Sequence, residues 1–227
     1  MSKVFSVAID GPVGAGKSCV AKKVAESLNA AYLDTGAMYR AVGLYMLENG
    51  VSLEDGAAIA ENAGKARVDV RYEGREQRTY LNGRDVTGEL RRPEVSLASS
   101  AVAKVHAVRE VLVNRQRELA RGISLVMDGR DIGTCVLTDA TLKIFLTATP
   151  EERARRRFRQ MNGRGGQSFE DVLNDLIRRD RNDMSRAESP LRCAEDAVEL
   201  DSTSLTEDEV VERIVLLLME RTGGERA

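Results

Sequence analysis

A glycine-rich segment near the start of the chain carries the residues best suited to hold a chain of phosphates. The stretch GPVGAGKS at 11–18 fits the pattern G-x-x-x-x-G-K-[ST] without a mismatch. Glycines allow successive backbone N–H groups to turn inward towards phosphate oxygens, and the N-terminus of a following helix adds partial positive charge. We therefore predict a nucleoside triphosphate site. Its members are Gly11, Pro12, Val13, Gly14, Ala15, Gly16, Lys17, Ser18 and Cys19.

Charged and hydroxyl side chains in and beside this loop suit phosphoryl chemistry. Lys17 can reach the β- and γ-phosphates, and the Ser18 hydroxyl can bind Mg2+. Asp10 and Asp128 each end a predicted parallel strand, so both should lie near the phosphates, where either could hold a magnesium-bound water. For Asp10 a helix cap is an equally good interpretation. Asp128 opens the charged sequence DGRD at 128–131, which favours a functional role.

Arginine is concentrated in one part of the chain. Residues 153–186 contain ten Arg, no Lys and five acidic residues, although the whole chain has a net charge of -2. The overall charge argues against a general nucleic-acid binder, and the local excess of arginine indicates a small anionic ligand. Arginines on a closing segment can cover phosphates and exclude water. We predict such a lid at about 153–167, from which Arg156 or Arg157 reaches the phosphates of the nucleotide.

Strands and helices that must position these residues alternate along the chain. Five short apolar runs, typical of buried parallel strands, are separated by segments with helical spacing. They predict an α/β fold, a single P-loop NTPase-type domain over 1–227 with a five-stranded parallel sheet flanked by helices. A turn-rich stretch at about 63–105, with alternating strands at 67–72 and 79–86, predicts a small antiparallel β insertion. The five apolar runs lie at 4–10, 31–34, 123–128, 142–146 and 197–201.

Cysteine content and hydropathy bear on the compartment. The three cysteines are far apart and form no C-x-x-C pattern, so neither disulfides nor a zinc site is expected. The longest apolar stretches, such as 214–219, are too short to span a bilayer. No secretory signal is apparent, because residues 1–9 run straight into a strand pattern. We predict a cytoplasmic protein with free thiols and no membrane partner.

A phosphate-binding loop alone does not distinguish a kinase from a GTPase or a motor. The chain has no N-K-x-D motif of the kind that reads guanine in GTPases. The sequence DTGAMYR at 34–40 places a hydroxyl and an arginine at the same end of the predicted sheet as the loop. A kinase also needs the arginine-rich closure, because water would otherwise compete as the acceptor. These features favour a kinase, and the alternative from another class is a non-catalytic nucleotide-binding switch.

Five pieces of the sequence carry a resemblance to a known family. They are IDGPVGAGKS at 9–18, LDTGAMYR at 33–40, VRE at 108–110, DGRDIGT at 128–134 and RRDRNDMSRAESPL at 178–191. Together they resemble the bacterial cytidylate kinases over nearly the whole chain. The resemblance implies ATP-dependent phosphorylation of CMP and dCMP to CDP and dCDP by in-line transfer, with Mg2+, in a cytoplasmic monomer that binds neither nucleic acid nor membrane. Kinases of UMP, AMP or shikimate on the same fold are the nearest alternatives.

The resemblance also assigns residues to the nucleotide that accepts the phosphate. Thr35, Gly36 and Arg40 would line the CMP site, with Arg40 at the α-phosphate; some relatives carry Ser in place of Thr35, which keeps the hydroxyl. Cytosine presents an amine donor and two acceptors, so a carboxylate and a guanidinium are suitable partners. The residues that would read this edge are Ser100, Arg109 and Asp128.

Further residues are assigned to the phosphate and the sugar. Arg130 would hold the CMP phosphate, with Asp131 beside it to orient it, and Arg179 and Asp183 would contact the sugar. Arg186 would contact the transferring phosphoryl group. Arg179, Asp183 and Arg186 are spaced to share one face of a helix, where ordinary surface ion pairs are the alternative. The residues expected to stabilise charge during transfer are Lys17, Arg130, Arg186, Arg156 and Arg157.

Overall fold

The computed structural model describes residues 4–161 and 168–223. Two compact units make up the chain, one formed by Met1–Ala31 with Gly122–Ala227 and the other by Tyr32–Arg121. The insertion predicted at 63–105 falls within the second unit. Of the lid predicted at 153–167, residues 162–167 lie outside the described part of the chain.

The strands of the described residues form two sheets. The larger sheet has the order β2-β6-β1-β7-β8, and β1 pairs in parallel with both of its neighbours. The smaller sheet, β3-β4-β5, is antiparallel. The predicted α/β fold with a five-stranded parallel sheet is confirmed. The strands are β1 Ser6–Asp10, β2 Ala31–Asp34, β3 Val68–Glu73, β4 Glu76–Leu81, β5 Arg84–Asp85, β6 Leu125–Asp128, β7 Leu142–Thr147 and β8 Val198–Asp201.

Helices connect most of these strands, as parallel pairing requires. A short π-helix, Ile132–Val136, follows β6 and was not predicted. The short helix α3 was not predicted either. The α-helices are α1 Lys17–Ser27, α2 Thr35–Glu48, α3 Gly56–Ala63, α4 Pro93–Val102, α5 His106–Ala120, α6 Pro150–Met161, α7 Phe169–Met184 and α8 Glu207–Thr222. None of the helices within the described ranges is long and apolar enough to cross a bilayer.

The strands β1 and β6 show why continuous apolar runs became a parallel sheet. Every residue of β6 is buried, as are the last four of β1, so both faces of the sheet are covered. In the parallel register Ile9 lies opposite both Asp128 and Ile144. Asp10 and Asp128 therefore stand at the same edge of the sheet, at the carboxyl ends of adjacent strands, where ligands bind in folds of this class.

Capping boxes fix the starts of α7 and α8. The Ser168 hydroxyl accepts from the Asp171 N–H, and the Asp171 carboxylate accepts from the Ser168 N–H. Thr206 and Glu209 make the same reciprocal pair at the start of α8. Each box satisfies N–H groups that the first turn of a helix otherwise leaves without partners.

The second unit contains the small antiparallel sheet and the helices α2 to α5. The strand predicted at 79–86 is divided, because Asn82 and Gly83 take positive φ angles of 50° and 85° and turn the chain. β4 therefore ends at Leu81, and only two residues follow as β5. Helix α2 lies close against α4: a Cβ placed on Gly43 would stand 2.9 Å from the Ser99 nitrogen.

Candidate active site

The glycine-rich loop between β1 and α1 contains positions that only glycine fits. Gly14 and Gly16 have φ angles of 78° and 89°, a region that side chains disfavour. A Cβ on Gly11 would stand 2.0 Å from the Leu146 carbonyl oxygen, so no larger residue is accommodated there. Gly16 precedes α1 without a side-chain cap. The first N–H groups of this helix are thus left for another acceptor, as in anion-binding helix starts.

Lys17 lies buried at the start of α1 with only 5% of its surface exposed. Its Nζ donates to the Pro12 carbonyl oxygen at 2.7 Å, so the side chain folds back along the loop. Burial, followed by the nearby Arg130 guanidinium, lowers the pKa of Lys17 to about 7. A polyphosphate beside Lys17 would favour the charged form of the ammonium, which is the property a phosphate-binding lysine needs.

The Ser18 hydroxyl donates to Asp128 Oδ2 at 2.8 Å. Ser18 is exposed, whereas Asp128 has 4% of its surface exposed. A hydroxyl and a carboxylate oxygen in contact at the mouth of the loop are the hard oxygen donors that Mg2+ takes, together with waters and phosphates. The described residues contain no cluster of three or more His, Cys, Asp or Glu able to hold a metal ion. A magnesium ion here would need phosphate oxygens and waters to complete its ligands.

Asp10 is a cap. Its two carboxylate oxygens accept from the backbone N–H groups of Ile132 and Gly133 at 2.8 and 2.7 Å. Burial raises its pKa to about 6, and the two backbone hydrogen bonds only partly oppose this effect. Both oxygens are engaged at the start of the π-helix, so the geometry favours the cap over the magnesium-bound water. Asp10 thereby fixes the segment that follows Asp128, including the buried Asp131.

Asp183 joins two of the predicted phosphate-binding arginines. Its Oδ2 accepts from Arg130 Nε at 2.9 Å, and its Oδ1 accepts from an Arg186 NH2 group. The Arg186 Nε is buried and has no hydrogen-bond partner among the described residues. A buried donor without a partner is costly, and an anionic ligand is one way to satisfy it. Arg179 instead pairs with Asp175 at 2.9 Å, so the surface ion pair is what the structure shows for it.

The arginines of α6 differ in their surroundings. Arg156 donates to Glu152 at 3.1 Å and to the Ser202 hydroxyl at 3.0 Å. Its NH1 would lie 4.0 Å from a Cβ on Gly16, beside the phosphate loop. Arg157 is exposed. Of the two arginines that the sequence could not separate, Arg156 is the one next to the loop.

The Cys19 side chain contacts helix α8. Its thiol donates to Glu207 Oε2 on α8 at 3.0 Å. Burial and this carboxylate raise the pKa of Cys19 to about 11, so the thiol stays protonated at neutral pH.

In the second unit, Arg40 is held at the start of α2. Asp34 accepts from the Ala37 N–H at 2.9 Å and from Arg40 NH2 at 2.8 Å. The Arg40 Nε is buried without a hydrogen-bond partner in the described residues. A Cβ on Gly36 would come within 3.2 Å of Arg40 NH1, so glycine leaves room beside the guanidinium. Thr35, the first residue of α2, has 3% of its surface exposed.

The predicted base-reading residues of this unit lie on α4 and α5. Arg109 is buried, with 4% of its surface exposed, and donates to the Tyr39 hydroxyl at 3.3 Å. Tyr39 and Gln77 were not singled out by sequence reasoning. Gln77 Oε1 accepts from the Asp34 N–H at 2.7 Å and so fixes the turn into α2. Ser100 is exposed on α4, where its hydroxyl faces the Ser96 carbonyl at 3.4 Å.

Sequence reasoning also missed Arg153 and Asp180, which contact the phosphate loop directly. Arg153 NH1 donates to the Val13 carbonyl at 2.9 Å, and Asp180 accepts from the Val13 N–H at 3.3 Å. Both residues lie in the arginine-rich part of the chain, but no spacing distinguishes them there from residues of surface ion pairs.

Comparison with known proteins identifies the family of the chain. The family model described as cytidylate kinase matches residues 7–220. A cytidylate kinase from Desulforamulus reducens is 53% identical over 216 residues, covering 95% of this chain and 97% of the relative. One from Caldanaerobacter subterraneus subsp. tengcongensis is 49% identical over 220 residues, covering 96% of each chain. An uncharacterized protein from Eubacterium ventriosum shares the fold with a TM-score of 0.53 at 17% identity, covering 96% of this chain and 99% of its own. The chain belongs to the cytidylate kinase family.

Proposed function

We propose that this protein transfers the γ-phosphoryl group of ATP to CMP and dCMP, with Mg2+, to give CDP and dCDP. The observation that carries the proposal is a cluster of cations at the mouth of the glycine-rich loop. Buried Lys17 feels the charge of Arg130, and Asp183 joins Arg130 to Arg186. Fixed cations of this kind are what two anionic phosphates need in order to approach each other. A monomer in the cytoplasm that uses no nucleic acid or membrane partner is part of the proposal.

The transfer needs no covalent intermediate on the protein. An oxygen of the CMP phosphate forms a bond to the γ-phosphorus of ATP while the bond from that phosphorus to the β–γ bridging oxygen breaks, which leaves ADP. The acceptor oxygen is already anionic, so no strong general base is required. Lys17, Arg130 and Arg186 would neutralise charge on the oxygens in transfer, with Arg156 and Arg157 as the contribution of α6. Mg2+, held by Ser18, would supply charge neutralisation at the β- and γ-phosphates.

The residues proposed for the acceptor nucleotide are those that the family resemblance assigns. Thr35, Gly36 and Arg40 would line the CMP site, with Arg40 and Arg130 at the phosphate and Asp131 beside Arg130 to orient it. Ser100 and Arg109 would read cytosine. The buried Arg40 Nε, which has no hydrogen-bond partner in the part of the chain that the structure describes, supports an anion beside α2. Arg179 and Asp183 would face the sugar. For Asp183, the bonds to Arg130 and Arg186 support an additional task, which is to keep the two guanidinium groups in place.

Asp128 has two candidate roles, and each is supported by a different observation. The family resemblance implies contact with cytosine, whereas the 2.8 Å bond from the Ser18 hydroxyl supports a place beside the magnesium site. A carboxylate that reads the base affects the choice between CMP and UMP. A carboxylate that orders a magnesium-bound water affects the magnesium concentration needed for half-maximal rate.

A coupled assay with ATP tests the proposal on the wild type and on Asp128→Asn, with CMP, dCMP, UMP, AMP and GMP as acceptors. We expect CMP and dCMP to give the highest kcat/KM. Turnover of UMP or AMP at least as efficient as that of CMP would overturn the base-reading assignment, and no diphosphate product from any acceptor would indicate a nucleotide-binding switch. If Asp128 reads the base, Asp128→Asn should reduce the CMP preference over UMP by about tenfold or more. If it orders the metal, that preference stays and the magnesium requirement rises.

A further inference from the structure

We propose that Arg153 and Asp180 are positioning residues that hold the glycine-rich loop at Val13 in the form that accepts a triphosphate. This inference rests on the proposed function, because it assigns a task in ATP binding. Neither residue has been given a role in the mechanism above, and neither is expected to touch the nucleotide.

The two side chains hold Val13 from both sides of its backbone. Arg153 NH1 donates to the Val13 carbonyl at 2.9 Å, while Asp180 Oδ1 accepts from the Val13 N–H at 3.3 Å. Arg153 and Asp180 also form an ion pair of 2.6 Å with each other. The guanidinium, the carboxylate and one peptide unit on each side of Val13 thus form a closed set of hydrogen bonds.

The pair is buried, which makes its geometry specific. The side chain of Arg153 is 5% exposed and that of Asp180 is 13% exposed. Arg153 Nε additionally donates to the Ala148 carbonyl at 2.9 Å. Buried ion pairs are frequently replaceable by apolar residues without loss of stability, so stability alone is a weak reason for this one. What an apolar replacement could not supply is a donor and an acceptor aimed at the backbone of Val13.

Packing of the loop follows the same contacts. Val13 lies against an apolar cluster made of Ala154 on α6 and Val172 and Leu176 on α7. A Cβ on Gly14 would stand 3.3 Å from the Arg153 Cβ. Helices α6 and α7 therefore hold Val13 both through its side chain and through its backbone.

The physical consequence concerns the order of the loop. Glycines at 11, 14 and 16 leave the backbone more conformational freedom than other residues would. Without a restraint at Val13, binding a phosphate chain must first order the loop, which lowers affinity. The loss should be the same for any ligand that uses the phosphate cradle, whether or not it carries a base.

Inorganic tripolyphosphate and ATP, each with Mg2+, are therefore the probes. Equilibrium binding is measured by calorimetry on the wild type, Asp180→Ala, Asp180→Asn and Arg153→Lys. We expect Asp180→Ala to weaken both ligands by the same factor, about tenfold or more, and to leave the KM for CMP within about twofold. Asp180→Asn retains an oxygen that can accept from the Val13 N–H, so it should recover part of the affinity. Arg153→Lys keeps the charge but loses the Nε donor to the Ala148 carbonyl and the planar guanidinium that aims NH1 at the Val13 carbonyl. It should therefore behave like Asp180→Ala.

Leu218→Ala is the matched control, because it removes a buried side chain on α8, a helix that carries neither residue of the pair. We expect it to lower the unfolding midpoint and leave both affinities unchanged. Equal affinity losses in Leu218→Ala would assign the effect to stability and overturn the proposal. Folded Asp180→Ala and Arg153→Lys proteins that keep both affinities within twofold would also overturn it, as would a loss confined to ATP. If the proposal about Val13 fails in one of these ways but the wild type still converts CMP normally, the proposed function stands. A wild type that binds neither tripolyphosphate nor ATP refutes the proposed function itself.

Discussion

Several charged side chains of the first unit are fixed by protein contacts. Asp183 holds Arg130 and Arg186, Asp128 accepts from Ser18, and Lys17 is bonded to the loop that it serves. Such contacts reduce the reorganisation that a reaction would otherwise require, which is the main source of electrostatic stabilisation in enzymes. The cost is visible in the lowered pKa of Lys17, since its charge is unfavourable in the buried loop until phosphates are near.

Asp10 makes a prediction about stability and pH. Its pKa of about 6 in the folded protein lies above the ordinary 3.8, so the folded state holds the proton more tightly than the unfolded state. As pH rises from about 4 to about 6, ionisation therefore costs folding free energy, up to about 3 kcal/mol. The quantity to compare is the free energy of unfolding of the wild type minus that of Asp10→Asn. We expect this difference to fall over this window and to level off above it. Urea unfolding from pH 4 to pH 7 measures the difference.

Asp196 serves as the control, because its pKa is shifted in the opposite direction from that of Asp10. The Lys143 ammonium lowers the pKa of Asp196, so its contribution to stability is complete above about pH 4 and is lost only at lower pH. The wild type minus Asp196→Asn should therefore be flat between pH 5 and pH 7. A flat difference for Asp10→Asn as well would show that Asp10 titrates as an ordinary carboxyl.

The residues that sequence analysis found and those it missed differ in how far their contacts reach along the chain. Ser18 and Lys17 belong to a local pattern of eight residues, so their place at the loop could be predicted. Arg153 meets Val13 across 140 positions, and Asp10 meets Gly133 across 123. No periodicity of the sequence connects such pairs. Whether Asp10 is a cap or a metal ligand depends on the backbone N–H groups of Ile132 and Gly133, which are distant in sequence.

At the scale of elements, long apolar runs were predictable and irregular ones were not. The strands β1 and β6 bury continuous apolar runs, and the capping box of Ser168 and Asp171 is formed by residues three positions apart. Helix α3 has eight residues, half of them alanine, with only Ile59 and Ala63 buried, so its period is weak. The π-helix at 132–136 is a rare form, and it depends on Asp10 from another element.

The packing of α2 against α4 at Gly43 predicts the effect of a substitution there. In an isolated helix alanine is favoured over glycine by about 1 kcal/mol. Here a Cβ would stand 2.9 Å from the Ser99 nitrogen and 3.0 Å from the Ala98 Cβ, so α4 must move. Overpacking of this kind costs about 1–3 kcal/mol, which exceeds or cancels the gain. We expect Gly43→Ala to lower the free energy of unfolding in urea, and to raise the KM for CMP because α4 carries Ser100.

Gly56 in α3 is the matched position, since nothing lies within 4 Å of a Cβ built there. Gly56→Ala should leave stability unchanged or raise it slightly. A Gly43→Ala protein at least as stable as Gly56→Ala would mean that α4 yields without cost, contrary to the tight packing.

At the scale of the whole molecule, the candidate residues divide between the two units. The glycine-rich loop, Asp128, Arg130 and the cluster around Asp183 belong to the first unit, whose two chain segments are Met1–Ala31 and Gly122–Ala227. Thr35, Arg40, Ser100 and Arg109 belong to the second unit, Tyr32–Arg121. The sequence predicted an insertion at 63–105, whereas the compact unit is larger, because α2 and α5 also contribute to its packing. Helical periodicity locates such helices but does not say which unit they join.

This division predicts where each ligand protects the backbone from hydrogen exchange. Tripolyphosphate with Mg2+ should slow exchange at 11–18 and in the parts of α6 and α7 that hold Val13, because ordering the loop suppresses local opening. CMP alone should slow exchange at 33–40, at 100–109 and at 128–131, and leave 11–18 nearly unchanged. Peptides from α3 and from α8 carry none of the candidate residues and serve as internal references. Protection by CMP confined to 11–18 would contradict the assignment of the acceptor to Arg40 and Arg109, since a phosphate that merely entered the loop would give that pattern.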